Sequence, residues 1–488
     1  MADAAANQEA GLDLHNYTKD GTVDWKGNTV LRSKTGRWKA CSFILGYELI
    51  ERMMFHGISS NLIIYLTTKL NQGTLTASNN VTNWSGTVWT MPIIGAYVAD
   101  AHLGRYRTFF ISSLVCFMAM TLLTAAVSIP SLKPPPCSAS ISRENCKQAS
   151  KLQLAVFFGS LYLLAIASGG TKPNISTMGA DQFDDFDPKE KAQKLSFFNW
   201  WLFTVFSGIL FASTILVYIQ DNVGWSLGYG IPTIGLGVAI LIFVVGTPFY
   251  RHKPPNGSPF ITMANVFVAA IWNWRLPLPN DPNQLHELDL QNYSKNGTFK
   301  IDSTPSLRFL NKAAIRRVSS DPWRICTVTE VEETKQMVRM IPIMVCSFIP
   351  SAMVAQTHTL FIKQGTTLNR SIGSHFKVPP ASLYAFVTIS MLLTILIYDR
   401  ITSKKPHELE STFILSKVSE ITKRQGNGWI LNNLNSSHLN YFYALLAVMS
   451  SVNFFLFLLI SKFYVYKAEV SDSIQVLTDE LKKKKSKA

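Results

Sequence analysis

Apolar positions along this chain gather into runs close to the length needed to cross a hydrocarbon core, about 20 residues, with polar connectors between them. Six runs begin near Lys39, Val81, Tyr106, Leu152, Phe197 and Ser226, and three more cover 337–361, 381–398 and 440–463. The pattern predicts an all-α membrane protein. The first 35 residues are polar and lack the apolar core of a cleavable signal, so the first helix itself is expected to direct insertion.

Between residues 251 and 335 lies a long hydrophilic connector, so six spans precede it and the remainder follow. Within it, residues 307–318 alternate apolar and basic positions at helical period. That suits either a helix lying on the cytoplasmic membrane face or a plain linker helix. Two bundles joined by a cytoplasmic connector form the plan of the major facilitator superfamily, whose halves rock about a midplane site. The second half does not complete this plan. After Asp399-Arg400 the connector before the last run holds only a short apolar stretch at 413–418, too short to cross. An odd number of crossings would put the polybasic tail, Lys482 to Lys485, on the wrong side. The expected organisation is a cytoplasmic tail (1–38), a complete six-helix bundle (39–248), a linker (249–335), the first helices of an incomplete second bundle (336–400), a shortened connector (401–438), a last span (439–466) and a basic tail (467–488).

Composition agrees: 47% hydrophobic residues against 16% charged. The formal charge of +15 sits in loops and tails, as the positive-inside rule expects, and no basic face is interleaved with stacking aromatics. A nucleic-acid partner is therefore not expected; the lipid bilayer is. Six cysteines without a CxxC motif make no disulfide framework. Cys137 and Cys146 alone flank a loop expected to face outward, where they can pair. No HExxH, GxSxG, P-loop or paired-His spacing supports an enzyme.

The chemistry is concentrated in the first span. Glu48, Glu51 and Arg52 share one helical face over about one turn. Charges at this depth cost several kcal/mol, so they normally pair, face water and mark ion or substrate paths. A Glu48–Arg52 pair serving only insertion would leave Glu51 unexplained. Lys172 is a second intramembrane charge, after two glycines and before Pro173, where a carboxylate can meet it.

Glu48-x-x-Glu51-Arg52 with Gly57, Asn61 and Tyr65, the Gly95-to-Arg105 loop motif, Gly169-Gly-Thr-Lys172-Pro-Asn, Gly179-Ala-Asp-Gln-Phe-Asp184, Phe197-Phe-Asn-Trp200, Tyr398-Asp-Arg400 and Gly428-Trp429 run in order along the chain. Together they resemble the plant nitrate and peptide transporter family, the proton-dependent oligopeptide transporters of the major facilitator superfamily, and most nearly its fifth plant subfamily. The resemblance implies a symporter in the plasma or vacuolar membrane, using protons and no cofactor to move nitrate, di- or tripeptides or related metabolites. Glu48, Glu51, Arg52 and Lys172 would couple the proton, breaking and remaking a carboxylate–Lys bridge. Gly95, Asp100, Gly104 and Arg105 would clip the inner gate. His56, Tyr65, Val354, Gln356 and His358 are the cavity candidates; Val354 stands where strong nitrate carriers have His. The family normally has spans ten and eleven between Arg400 and Gly428, so the chain reads as internally shortened.

Overall fold

The computed structural model describes residues 17–18, 20–135, 148–255, 257–279, 284–288, 300–316, 323, 325–372, 376–402 and 448. The shortened connector (apart from Ile401 and Thr402), the last span (apart from Val448), the basic tail, Gly428-Trp429 and the Cys137/Cys146 pair lie outside them.

Six helices form the first bundle: α1 (Arg37–Thr68), α2 (Thr74–Val98), α3 (Arg105–Ser128), α4 (Lys151–Ala180), α5 (Pro188–Phe211) and α6 (Trp225–Val245). At 1.5 Å per residue, the 32 residues of α1 exceed a hydrocarbon core of about 30 Å. Helix ends follow local signals. Ser150 and Gln153 form a reciprocal capping box at the start of α4. Asp187 caps α5, and Pro188 occupies its first turn. These two residues start α5 nine residues ahead of the apolar run that begins near Phe197. α5 then continues through two π-helical stretches, Ala212–Leu216 and Ile219–Val223, before turning at Gly224.

Among the described residues, α3, α4, the stretch Pro188–Val223 and α6 are long and apolar enough to cross a membrane. α1 and α2 are long enough but more polar, because α1 carries the charged motif and α2 is rich in Ser, Thr and Asn. Inside the bundle, α4 packs broadly on α2 and α3, and α1 on α5 and α6. The core between them is largely aliphatic and aromatic, with Tyr47, Phe109 and Phe243 meeting edge-on near its middle.

The linker contains a helix the apolar pattern does not announce, α7 (Pro259–Trp272). It packs on the 3-10 segment Arg308–Ala314, and Val266, Ala269, Leu310, Ala313 and Val331 make a small separate core. The amphipathic helix expected over 307–318 is thus shorter and more tightly wound. Its buried apolar residues, Leu310, Ala313 and Ala314, face α7. Past the linker come α8 (Val328–Thr357), α9 (Leu360–Gly365), a two-residue antiparallel pair, β1 (Ser371–Ile372) with β2 (Phe376–Lys377), and α10 (Ala385–Thr402). α10 lies against α5, and α9 touches α1.

Candidate functional site

Glu48 and Glu51 are 1% and 2% exposed, deep in the bundle. Arg52 Nε donates to Glu48 Oε1 at 2.7 Å and stands 3.5 Å from Glu51 Oε2. The second approach lacks hydrogen-bond geometry, and neither oxygen of Glu51 has a hydrogen-bond partner. The motif is held at close quarters by α5. A Cβ on Gly208 would fall 2.6 Å from the Leu49 carbonyl oxygen and 2.9 Å from Arg52 Cβ. Only glycine lets the two backbones meet there.

Lys172 comes from the middle of α4 and is 8% exposed. Its Nζ has no hydrogen-bond partner and sits 3.4 Å over the Phe55 ring, with Trp89 at 5.1 Å. Phe55 in turn stacks on buried Trp84, whose indole donates to the Leu161 carbonyl at 2.8 Å. A desolvated cation over a ring face gains about 2 kcal/mol, which holds the ammonium without a carboxylate. Glu51, Glu48 and Arg52 are near enough to act on Lys172 electrostatically. The four expected coupling residues are therefore neighbours, but the Lys–carboxylate bridge is not made in this conformation. Phe55, Trp84, Trp89 and Gly208 were missed from sequence. Phe55 alone carried a signal, lying on the face of Glu48 and Arg52 one turn on.

Gly95 is a contact between helices: a Cβ there would run into the Gly169 carbonyl, and one on Gly169 would fall 2.7 Å from the Met91 carbonyl oxygen. At the end of α2 the chain passes through a π-helical turn, Ala99–Leu103, and Gly104 reverses it at φ 79°. Arg105 then reaches Asp100 at 3.3 Å and Asp181, just past α4, at 2.5 Å.

The cavity candidates separate. The ring of His56 on α1 lies 5.4 Å from both His358, after α8, and Tyr384, before α10, so these three join the two halves. Tyr65 belongs elsewhere. It is packed between Phe157 and Trp225, at 5.1 and 5.0 Å, as part of the bundle core. A face of α1 that looked free in sequence is covered by α4 and α6. Val354 is exposed on α8, and the side chain of Gln356 is outside the described set.

A second charged centre, unforeseen, closes the bundle where the segment leading into α1 (the arm), α5 and the linker meet. Arg251 is fully buried; its Nη1 donates to Glu190 Oε2 at 2.7 Å and to the Gln182 carbonyl at 3.1 Å, and its Nη2 to the Thr35 carbonyl at 3.0 Å. Glu190 also accepts from Arg37 and from the Asp184 amide, both at 2.7 Å, and Arg32 pairs with Asp184. No cluster of three or more His, Cys, Asp or Glu able to hold a metal occurs among the described residues.

Comparison with known proteins places this geometry. The family model described as PTR2, POT family, matches residues 106–419. Two Arabidopsis thaliana proteins, NRT1/PTR FAMILY 5.2 and 5.3, are 49% and 47% identical, over 97% and 96% of this chain and 99% and 97% of their own. The first alignment runs over 580 positions and takes in 97% of the 488 residues here, so the relative has roughly a hundred residues that this chain lacks. The crystal structure of the POT family transporter PepTSo shares the fold, with a TM-score of 0.50 and 18% identity over 75% of this chain and 69% of that one. By its family match and its relatives alike, this chain belongs to the POT family of membrane transporters.

Proposed function

We propose that the chain is built as a proton-coupled carrier of small solutes, working by alternating access with Glu48, Glu51, Arg52 and Lys172 as the proton-coupling site. One observation carries this reading. A carboxyl whose oxygens accept no hydrogen bond and an amine that donates none are buried within electrostatic reach of each other. Such a pair holds a proton in one of two places, and which one it takes depends on whether they touch. Arg52, bound to Glu48, supplies the fixed charge beside them. The proton is the only coupling ion invoked. The solute is of the class nitrate, short peptide or related metabolite, and His56, His358 and Tyr384 are where the halves would close on it.

A second reading is favoured by the roughly one hundred relative residues without counterpart here: a shortened form that does not transport and instead pairs with a full-length partner. If the loss falls in the second bundle, one wall of the cavity opens to lipid, where unpaired backbone is costly. Uptake in oocytes separates the two, comparing this chain with a version in which the stretch near 406–412 is restored, each with and without Glu51→Gln. The restored protein should accumulate solute down a proton gradient, and Glu51→Gln should abolish this at unchanged surface level, since Gln keeps the shape but cannot cycle a proton. Uptake that survives Glu51→Gln moves the proton site elsewhere. Robust uptake by the 488-residue chain removes the second reading.

A further inference from the structure

At the end of the bundle that is cytoplasmic by the positive-inside rule, a cleft of about 550 Å³ opens between three separate segments. They are the arm turn at 23–27, the loop 102–107 between α2 and α3, and the start of the linker at 251–255. Arm and linker are tied by a two-way backbone bridge, Val23 N to His252 O and His252 N to Val23 O, each 2.8 Å.

The charges lining the cleft do not cancel. Arg105 is committed to Asp100 and Asp181, and Arg251 to Glu190. Asp24 is turned onto its own loop, accepting from the amides of Lys26 and Asn28 at 2.8 Å. Lys26, Arg107 and Lys253 make no ion pair among the described residues, although Asp20 acts on Lys253 and Asp24 on His252 across a gap. His252 also lines the cleft, its ring 4.9 Å from that of Tyr106, and its Nε2 is buried without a hydrogen-bond partner. A buried polar atom left unpaired costs about 1–3 kcal/mol, so a ligand that satisfied it would be favoured.

We propose that this cleft binds a phosphate group, bridging Lys26, Arg107, Lys253 and His252. The lining carries more cations than carboxylates, which suits a doubly charged oxyanion better than a carboxylate, and the guanidinium fork of Arg107 matches two of its oxygens. Trp25 and Leu103 flank the cleft with much of their surface exposed, an aromatic and apolar rim suited to headgroup depth. The phosphate is therefore either free in the cytosol or the headgroup of an anionic lipid. Bound there, it fastens arm and linker to the loop that carries the Asp100–Arg105–Asp181 clip, so occupancy resists opening of that end.

The test uses the full chain and the triple variant Lys26→Gln, Arg107→Gln, Lys253→Gln. In one arm, purified protein is titrated with inorganic phosphate, following the thermal midpoint and binding of labelled phosphate. In the other, protein in phosphatidylcholine nanodiscs is compared with protein in discs that also hold phosphatidic acid. A midpoint raised by phosphate identifies the free anion, and one raised only by phosphatidic acid identifies the lipid; either supports the site. In both cases the triple variant should bind on the order of a hundredfold more weakly, about fivefold per cation. Should the triple variant fail to fold, Arg107→Gln and Lys253→Gln alone are each expected to show the fivefold loss. No stabilisation by either ligand, or stabilisation that the variants leave intact, overturns the proposal.

Discussion

Replacing Arg251 by Met tests whether the buried charged centre where arm, linker and α5 meet holds the bundle together. The change keeps much of the side-chain volume but removes every donor. Glu190 loses its 2.7 Å partner, and the carbonyls of Gln182 and Thr35 lose theirs at 3.1 and 3.0 Å. Both members of the pair are essentially unexposed, so solvent cannot replace what is lost. Breaking a buried pair on one side typically costs about 3–5 kcal/mol. Glu190 keeps Arg37 and the Asp184 amide, which places the expectation at the lower end, about 3 kcal/mol. For a unit of this size each kcal/mol moves the midpoint by about 2–4 °C, so Arg251→Met should melt about 6–12 °C below the parent in detergent. The decisive comparison adds Glu190→Leu. Removing both charges leaves no buried ion stranded, since Arg37, the other cation on Glu190, is 45% exposed and can turn to water; the Asp184 amide still loses its acceptor, so the double variant should recover part of the loss. A midpoint for Arg251→Met within about 2 °C of the parent, or a double variant less stable than the single, would refute the account.

Two further outcomes follow from close contacts and from burial. Gly208→Ala should lower the midpoint by several degrees and weaken proton-driven uptake in the length-restored protein, because its Cβ would lie 2.6 Å from the Leu49 carbonyl oxygen; Gly46→Ala, with its nearest neighbour at 3.6 Å, is the control that should change neither. Burial raises the Asp20 carboxyl above its usual 3.8, so the folded arm prefers the protonated acid and loses stability as pH rises through that range. Asp20→Asn keeps the acceptor that Thr22 uses at 3.2 and 2.7 Å, and should therefore dock the arm at least as firmly as the parent at neutral pH, with the gap closing near about pH 4; faster amide exchange across residues 20–23 of the variant at neutral pH would contradict this.

What could be read from the chain was what a single helix contains. The first-bundle spans follow from long apolar runs, and the Glu48–Glu51–Arg52 face follows from spacing alone. Lys172 was marked by its cost in an apolar span. Facts that depend on a neighbouring helix were not legible. Tyr65 and His56 lie on the same helix, yet α4 and α6 cover one while His358 and Tyr384 meet the other. Arg251 looked like one more basic residue at a span's inner end; its burial needs Gly36 and Glu190, distant in sequence. α7 is an apolar stretch too short to cross, and only its packing on Leu310 and Ala313 shows why it is helical. Lys172 was expected to meet a carboxylate, and the aromatic bed beneath it, Phe55 on Trp84, is assembled from two helices at once.

The backbone contact at Gly95 and Gly169 has a mechanical meaning. Where side chains separate two helices, rotamer changes let them slide or swivel; here no side chain intervenes, and either motion drives peptide against peptide. At this crossing α2 and α4 bear on each other backbone to backbone, as the members of one beam do. Lys172 rides on that beam less than a full turn beyond Gly169, and Asp100 and Asp181 are fixed to its ends. If Lys172 couples the proton as proposed, a change in what it touches would reach the loop at Asp100 with no relay of side chains between them, in the way a lever passes a small push at its pivot to a larger travel at its tip.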